Sequence, residues 1–220
     1  MYRIFFFFLV FNLLKILKMS FKRENSVHLI TGCMYSRKSS TLLPAIERYD
    51  YISCAKVFLL KPACDTRDDS EDNTTSRLNI SRKVDARIKT GQDAWEYIER
   101  EILKCSSEKK IIVVAIDEAQ FVENLDWFVR KVLGDPNSYT IITYIAALDS
   151  TFEAKMWNEI VKIIPYCTEI TKLTAICGIC QHNTGILTRR IGDSNNLIEI
   201  ENSGESKYVA SCFQCFEKKL

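Results

Sequence analysis

Residues 27–40 read VHLITGCMYSRKSS, an apolar run followed by a glycine, a polar loop and a lysine–serine pair. Val27–Thr31 is predicted to be a short buried strand, and apolar residues at helical spacing predict a helix from about Lys38 to Asp50. A strand, a loop that begins at a glycine and a helix, in this order, favour a phosphate-binding loop. The reason is that backbone N–H groups at a helix N-terminus attract an anion.

The loop matches most of the pattern G-x-x-x-x-G-K-[ST]. Gly32, Lys38 and Ser39 stand at the positions of the first glycine, the lysine and the hydroxyl residue. In this pattern the lysine adds charge beside the β- and γ-phosphates, and the hydroxyl ligates Mg²⁺. Arg37 replaces the second glycine, so an ordinary strand–helix loop stays open as the alternative. Pro44 would lie inside the helix, where it favours a kink.

Outward from this loop, apolar runs alternate with amphipathic segments. Strands are predicted at 57–61, 111–116 and 139–147, and helices at 93–104 and 124–133. The run at 111–116, IIVVAI, is uninterrupted and β-branched, as in a strand buried on both faces. The alternation indicates an α/β fold with a mostly parallel sheet flanked by helices. After about Thr171, cysteine pairs and short polar stretches replace this pattern, which predicts a second, small domain.

The most buried predicted strand ends in two acids, Asp117 and Glu118. Ligands of α/β sheets bind beyond the carboxyl ends of the strands, so these side chains would face a nucleotide held by the loop. One carboxylate could hold Mg²⁺ and its neighbour could accept a proton from an attacking hydroxyl. The alternative is that the acids cap the next helix or simply end the strand.

Four of the nine cysteines form two Cys-x-x-Cys pairs, Cys177 with Cys180 and Cys212 with Cys215. Two such pairs are typical of a tetrahedral four-thiolate site for structural Zn²⁺. The odd total and the spacing do not fit a disulfide framework, which favours a reducing compartment. His182 is interpreted as a surface residue, because four thiolates already complete the shell.

The N-terminal 18 residues, MYRIFFFFLVFNLLKILK, are apolar with basic flanks. The apolar stretch Ile4–Leu14 is shorter than the roughly 20 residues of a membrane span, and no small-residue cleavage site follows it. We interpret residues 1–24 as an extension, or a mis-assigned start, outside the fold. A membrane tether and a signal peptide are the alternatives.

Net charge bears on the choice of partner. A formal net charge of +2 over 220 residues gives no electrostatic bias towards nucleic acid or a membrane surface. We therefore expect no nucleic-acid partner and, apart from the extension, no membrane partner. A zinc-ribbon module that binds nucleic acid is a rival hypothesis that this charge disfavours.

Six segments resemble, in the same order, the motifs of the cellular, zinc-containing thymidine kinases. They are GCMYSRKSS at 32–40, DTR at 65–67, DEAQF at 117–121, ALDSTF at 147–152, KLTAIC at 172–177, and Lys207-Tyr208 with the last cysteine pair. The resemblance covers roughly Ser26 to Lys218. It implies an α/β fold of the phosphate-loop, RecA-like type at 25–170. It also implies a small zinc-ribbon-like lasso domain at 171–220.

The resemblance implies transfer of the γ-phosphate of ATP to the 5′-hydroxyl of thymidine, with Mg²⁺ and structural Zn²⁺, in a cytoplasmic homotetramer. It makes Glu118 the general base. The residues implied in binding ATP and Mg²⁺ are Gly32, Met34, Tyr35, Ser36, Arg37, Lys38, Ser39, Asp65, Arg67, Asp117 and Gln120. The residues implied in binding the nucleoside are Met34, Phe121, Phe152, Trp157, Glu199, Ser203 and Tyr208, with the lasso loop at 199–208. Core packing is the alternative for Met34 and the aromatic residues.

The chain departs from the family pattern mainly in the phosphate loop, where Arg37 replaces a glycine and Cys33 a proline. Cys33 would be an oxidation-sensitive thiol if it were exposed. Ser203 replaces a lasso glycine, and Arg82-Lys83 replaces a His-Asp or His-Asn pair. These departures leave one alternative function, a catalytically impaired relative that binds nucleotide or nucleoside. The retained lysine, serine and two acids oppose it.

Overall fold

The computed structural model describes residues 24–65, 73–75, 81–105, 110–136, 139–191 and 207–218, with only the backbone at 73–75. Of the predicted N-terminal extension, all but Glu24 lies outside these ranges. Within these ranges, no helix has both the length and the apolar character to cross a membrane.

The described part of the chain contains twelve strands, five α-helices and two short 3-10 helices, Ala119–Phe121 and Ile164–Tyr166. The strands are β1 (Ser26–Gly32), β2 (Ala55–Pro62), β3 (Asn73–Thr75), β4 (Ser81–Lys83), β5 (Ala86–Ile88), β6 (Ile111–Ile116), β7 (Thr140–Leu148), β8 (Glu169–Leu173), β9 (Ala175–Ile176), β10 (Thr184–Gly185), β11 (Leu187–Arg190) and β12 (Tyr208–Ser211). The helices are α1 (Lys38–Glu47), α2 (Gly91–Lys104), α3 (Leu125–Leu133), α4 (Asn158–Ile163) and α5 (Phe213–Glu217).

Six strands form a central sheet in the order β5-β2-β6-β7-β1-β8. Every pairing in it is parallel, so all six strands end at the same edge. β7 is buried along its whole length, because helices cover both faces of the sheet. The predicted α/β fold is confirmed.

The helices divide between two hydrophobic clusters, one on each face of the sheet. On one face α1 buries Leu42, Leu43 and Ile46. On the other face α2, α3 and α4 contribute Ile98, Phe128 and Ile160, among other residues. Each cluster buries apolar side chains of the strands as well, so the sheet is the middle layer of three.

Two helix boundaries differ from the prediction by more than one residue. Helix α1 ends at Glu47, three residues earlier than expected, and Pro44 lies inside it with its side chain exposed. Helix α2 begins at Gly91 instead of Asp93, because Thr90 and Asp93 form a reciprocal capping box. Such a box satisfies two of the backbone N–H groups at a helix start.

Past the main sheet, four short strands form two antiparallel pairs, β9 with β10 and β11 with β12. We call residues 174–191 and 207–218, which carry these strands and α5, the C-terminal module. β8 belongs to the central sheet, since it pairs with β1, so the predicted boundary at 170/171 falls inside a strand of that sheet. The division into domains stays a prediction.

Candidate functional site

The phosphate loop begins where β1 ends, at Gly32. A Cβ atom at this position would lie 2.3 Å from the Leu173 carbonyl oxygen and 2.7 Å from Ser36 Oγ. Glycine is therefore required here by close packing. Further along the loop, Tyr35 and Arg37 both adopt left-handed backbone conformations, each with φ 65°. Such a conformation costs a side-chain-bearing residue roughly 1–2 kcal/mol.

Lys38 is the first residue of α1 and is buried under the loop. Its Nζ donates a hydrogen bond of 2.8 Å to the Cys33 carbonyl oxygen. Burial lowers the pKa of Lys38, and the negative charge of Glu118 is the strongest effect that opposes this. The lysine therefore lies within electrostatic reach of the acids that follow β6.

Asp117 and Glu118 directly follow β6, at the carboxyl edge of the sheet. The Asp117 carboxylate accepts a hydrogen bond from the Ser39 side chain, and this bond works to lower its pKa. Burial outweighs it and, together with the neighbouring charge of Glu118, raises the pKa of Asp117 to about 6. The structure thus brings together Ser39 and Asp117, the two residues expected to hold Mg²⁺.

Glu118 is held in a defined orientation. Its backbone is left-handed, with φ 51° and ψ 38°, and its Oε2 accepts a 2.7 Å hydrogen bond from the Gln120 amide. Gln120 Oε1 accepts in turn from the Leu148 backbone N–H at 3.1 Å. Both ends of the Gln120 amide are engaged with protein atoms, which suits an orienting role for this predicted ATP-site residue.

Asp65 lies beyond the end of β2 and is fully buried. Its carboxylate forms a 2.9 Å ion pair with Lys61 Nζ, which is also buried. The positive charge of Lys61 also works to lower the pKa of Asp117. Sequence reasoning did not single out Lys61, although a lysine inside the apolar run VFLLK is itself a signal of a buried partner.

Asp149 is a second residue that the sequence analysis left without a role. It follows β7 as Asp117 follows β6, and its side chain pairs with Lys172 Nζ at 2.8 Å. Its backbone N–H donates to the Gly32 carbonyl oxygen at 3.4 Å. Because β1 lies between β7 and β8, this ion pair spans the start of the phosphate loop. The sequence signal that could have identified Asp149 as a site residue is its position directly after a predicted buried strand.

The residues predicted to bind the nucleoside form two aromatic groups. Phe121 packs edge-to-face against Trp157, with ring centroids 5.5 Å apart. Phe152 and Tyr208 lie 6.4 Å apart, and the Arg190 guanidinium lies 4.3 Å from the Phe152 ring centroid. Trp157 also packs against the main core, so packing and substrate contact are compatible for this residue.

The other predicted site residues are placed as follows. Met34 and Tyr35 are half-buried, Ser36 is buried, and Arg37 is exposed at the N-terminus of α1. Arg67, Glu199 and Ser203 lie outside the described residues.

Two further predictions concern the departures from the family pattern. Cys33 is fully buried, so the condition for an oxidation-sensitive thiol is not met. Arg82, in the expected His-Asp or His-Asn position, forms a two-pronged ion pair with Asp50 beyond the C-terminus of α1. This contact joins β4 to the phosphate-loop helix.

The four paired cysteines converge in the C-terminal module. The Sγ atoms of Cys177, Cys180, Cys212 and Cys215 all lie within 4.8 Å of one another. Zn–S bonds of about 2.3 Å in a tetrahedron require sulfur atoms roughly 3.8 Å apart, and Cys180 and Cys212 are 4.0 Å apart. The four thiols therefore fit Zn²⁺ as a structural ion, with all four positions taken by protein. His182 is exposed, as expected.

Comparisons with known proteins give matches over most of the chain. The family model "Thymidine kinase" matches residues 25–216. A thymidine kinase of Choristoneura fumiferana entomopoxvirus is 31% identical over 195 residues, 88% of this chain and 97% of that protein. One of Rabbit fibroma virus (strain Kasza) is 30% identical over 190 residues, 86% and 95% of the two chains. The cytosolic thymidine kinase of Bos taurus is 28% identical over 198 residues, 90% and 74% of the two chains.

Proposed function

The chain belongs to the thymidine kinase family, and from this premise we propose that it transfers the γ-phosphate of ATP to the 5′-hydroxyl of thymidine, giving ADP and dTMP. The supporting observation is the meeting of Lys38, Asp117 and Glu118 beside the phosphate loop. Phosphoryl transfer needs a cation beside the phosphates, a carboxylate that holds the metal ion and a carboxylate that accepts the proton.

In the proposed reaction Glu118 is the general base. It accepts the proton of the thymidine 5′-hydroxyl as the oxygen bonds to the γ-phosphorus and the bond to the β-phosphate oxygen breaks. The Gln120 amide holds one carboxylate oxygen at 2.7 Å, so the side chain needs little reorganisation. Fixed groups of this kind lower the entropic cost of reaching the transition state.

The phosphate loop and Lys38 would hold the ATP phosphates. Gly32 lets the loop turn close to Leu173, and Lys38 brings its charge to the loop's inner side. Ser39 and Asp117 would hold Mg²⁺, which supplies charge neutralisation on the phosphates when it is bound. Asp65 and Lys61 support this edge as a buried pair, and Arg67 would lie near the transferred phosphate.

The nucleoside would bind between the aromatic residues and the lasso segment. Phe121, Phe152 and Trp157 offer flat apolar surfaces that suit a pyrimidine. Tyr208 begins β12 and its ring lies 6.4 Å from that of Phe152 in a tilted arrangement, so the C-terminal module would present the lasso residues 199–208 to the base. The proposed role of Zn²⁺ is to order this module.

The cellular setting is part of the proposal. Free thiols at all nine cysteines and the need for ATP favour the cytoplasm, where disulfides are rare. We propose pyrimidine deoxynucleoside salvage for DNA precursor synthesis as the role, and a homotetramer as the assembly.

An ATP-dependent phosphorylation assay with thymidine, deoxyuridine and deoxycytidine tests the proposal. We expect dTMP to form, with thymidine as the preferred acceptor. Arg37 is the feature that supports the alternative, an impaired relative that binds without turnover. Binding of ATP or thymidine without any product would favour that alternative, and absence of both binding and product would overturn the proposal.

A further inference from the structure

Cys33 makes a contact that the proposed mechanism does not use. Its thiol donates to the Gly185 carbonyl oxygen, with a sulfur–oxygen distance of 3.4 Å. The Ala175 backbone N–H also approaches the sulfur and works to lower its pKa. Ala175 and Gly185 are directly opposite each other in the β9–β10 pair. The thiol of the phosphate loop therefore bridges the two strands at the open end of this hairpin.

The same hairpin carries the first half of the zinc site. Cys177 follows Ala175 by two residues, and its backbone N–H donates to the Asn183 carbonyl oxygen at 2.9 Å. The Gln181 N–H donates to the Cys177 carbonyl oxygen, also at 2.9 Å. We call residues 175–185 the zinc knuckle. Only one residue separates the pair bridged by Cys33 from the first ligand.

A second hydrogen bond runs between the same two regions. The backbone N–H of Met34 donates to Thr188 Oγ1 at 3.0 Å, and Thr188 is almost fully buried on β11. In a phosphate loop the backbone N–H groups normally point to the ligand. Here one of them is directed to the C-terminal module, so consecutive residues of the loop, 33 and 34, are both fastened to it.

Burial keeps the bridge in the chemical form that it needs. Desolvation raises the pKa of the Cys33 thiol, so the sulfur carries its proton at neutral pH and can donate. A proline, which the family pattern has at this position, could not make the hydrogen bond to Gly185 because it has no side-chain donor or acceptor. The substitution therefore adds a link between the loop and the module.

We propose that Cys33 is a positioning residue that joins the phosphate loop to the zinc knuckle, so that each region stabilises the other. The expected effect on ATP and zinc binding rests on the proposed function, because it assumes that ATP occupies the phosphate loop. By linkage, bound ATP raises the affinity of the knuckle for zinc, and bound zinc raises the affinity of the loop for ATP by the same factor. We expect the higher zinc affinity to appear as slower zinc release.

The direct test is the rate of zinc release from the purified zinc-loaded protein to a coloured chelator. Cys33→Val removes the donor and the acceptor at similar volume, and we expect release to become about threefold to tenfold faster, the size of one lost hydrogen bond. Cys33→Ser keeps a donor and an acceptor and should restore most of the natural rate. This rescue separates hydrogen bonding from simple packing.

Cys167→Val is the matched control. The Cys167 thiol also donates to a backbone carbonyl oxygen, that of Ile163 at 3.3 Å. Cys167 precedes β8, however, so it lies at the amino ends of the strands, whereas Cys33 lies at their carboxyl ends. Loss of the Cys167 thiol should leave zinc release unchanged. Urea unfolding of all variants corrects for any general loss of stability. Equal release rates for Cys33→Val and Cys167→Val at matched stability would overturn the proposal.

A second measurement needs no variant. Saturating ATP should slow zinc release from the natural protein, because bound ATP holds the loop to which the knuckle is joined. ATP that binds without slowing release would also contradict the proposal. ATP that does not bind at all would instead contradict the proposed kinase activity, while the comparison of variants would still decide whether Cys33 joins the two regions.

Discussion

The central sheet and the C-terminal module are ordered by different forces. β7 is buried at every one of its nine residues, whereas β11 buries one residue of four, Thr188. Apolar burial contributes roughly 25 cal/mol per Å². It therefore stabilises the central sheet far more than the C-terminal module. Below about 70–80 residues a single hydrophobic core rarely suffices, and small natural domains usually add metals, disulfides or partners. We therefore expect the module to depend on its four thiols for order.

The strained and buried charged residues of the candidate active site also lie at the carboxyl edge of the central sheet. Tyr35, Arg37 and Glu118 all have left-handed backbones, and the buried edge holds Lys38 and Asp117 as ionisable groups. Strain and buried charge of this kind persist only where the surrounding structure holds them in place. A large apolar core provides that support.

Removal of the metal site tests the comparison most severely. Cys177→Ser combined with Cys212→Ser should reduce zinc from about one ion per chain to none, because structural zinc contributes about 10–16 kcal/mol of apparent folding free energy. Metal analysis and limited proteolysis would show a digested module and an intact sheet. Cys54→Ser with Cys105→Ser, two free thiols outside the module, should keep the metal. Zinc retained in the double variant, or a sheet that unfolds with the module, would contradict the comparison.

The second test addresses chemistry at the sheet edge. Glu118→Gln should lower turnover by about 10²- to 10⁴-fold, because the amide cannot accept the proton, while thymidine affinity stays nearly unchanged. Steady-state kinetics and equilibrium binding would separate the two effects. The control is Glu123→Gln, which changes a nearby exposed acid. It should leave turnover and thymidine affinity unchanged. Near-normal turnover of Glu118→Gln would exclude the general-base role.

The third test uses pH. The pKa of Asp117 is raised from 3.8 to about 6, so its carboxylate becomes protonated as pH falls through about 6 rather than near 4. If the ionised form is needed, kcat/KM for ATP should fall by about tenfold per pH unit below that value. Lys61→Met should move this midpoint upward, because Lys61 favours the ionised form. A flat profile from pH 7 to 5 would show that Asp117 is not required in ionised form.

The smallest expected effect concerns backbone strain in the loop. Arg37→Gly should tighten ATP binding by about fivefold to thirtyfold at most, since the left-handed conformation costs a non-glycine residue roughly 1–2 kcal/mol. Thymidine affinity should change little. Arg37→Ala keeps the strain but removes the charge, so ATP titrations of both variants separate the two effects. A natural protein without turnover at any ATP concentration, restored by the glycine, would favour the impaired relative.

Much of the architecture could be predicted from the sequence because its signals are local. The run IIVVAI at 111–116 predicts a buried strand, and the structure has a strand over the same residues. The paired Cys-x-x-Cys motifs predict four thiols in one place, since each pair fits two adjacent ligand positions. The elements that were not predicted are short, such as β5 with three residues and α4 with six. Hydrophobic periodicity needs a longer window than these elements provide.

Tertiary structure alone decided which distant residues meet. Lys61 with Asp65 and Asp149 with Lys172 are pairs of ordinary charged residues in the sequence, and only the parallel sheet brings the second pair together across β1. The contact between Cys33 and the zinc knuckle spans more than 150 residues. Sequence patterns report the spacing of residues along one element, whereas such contacts depend on how separate elements pack. That packing is determined by the burial of whole faces of helices and sheets, and no single sequence motif describes it.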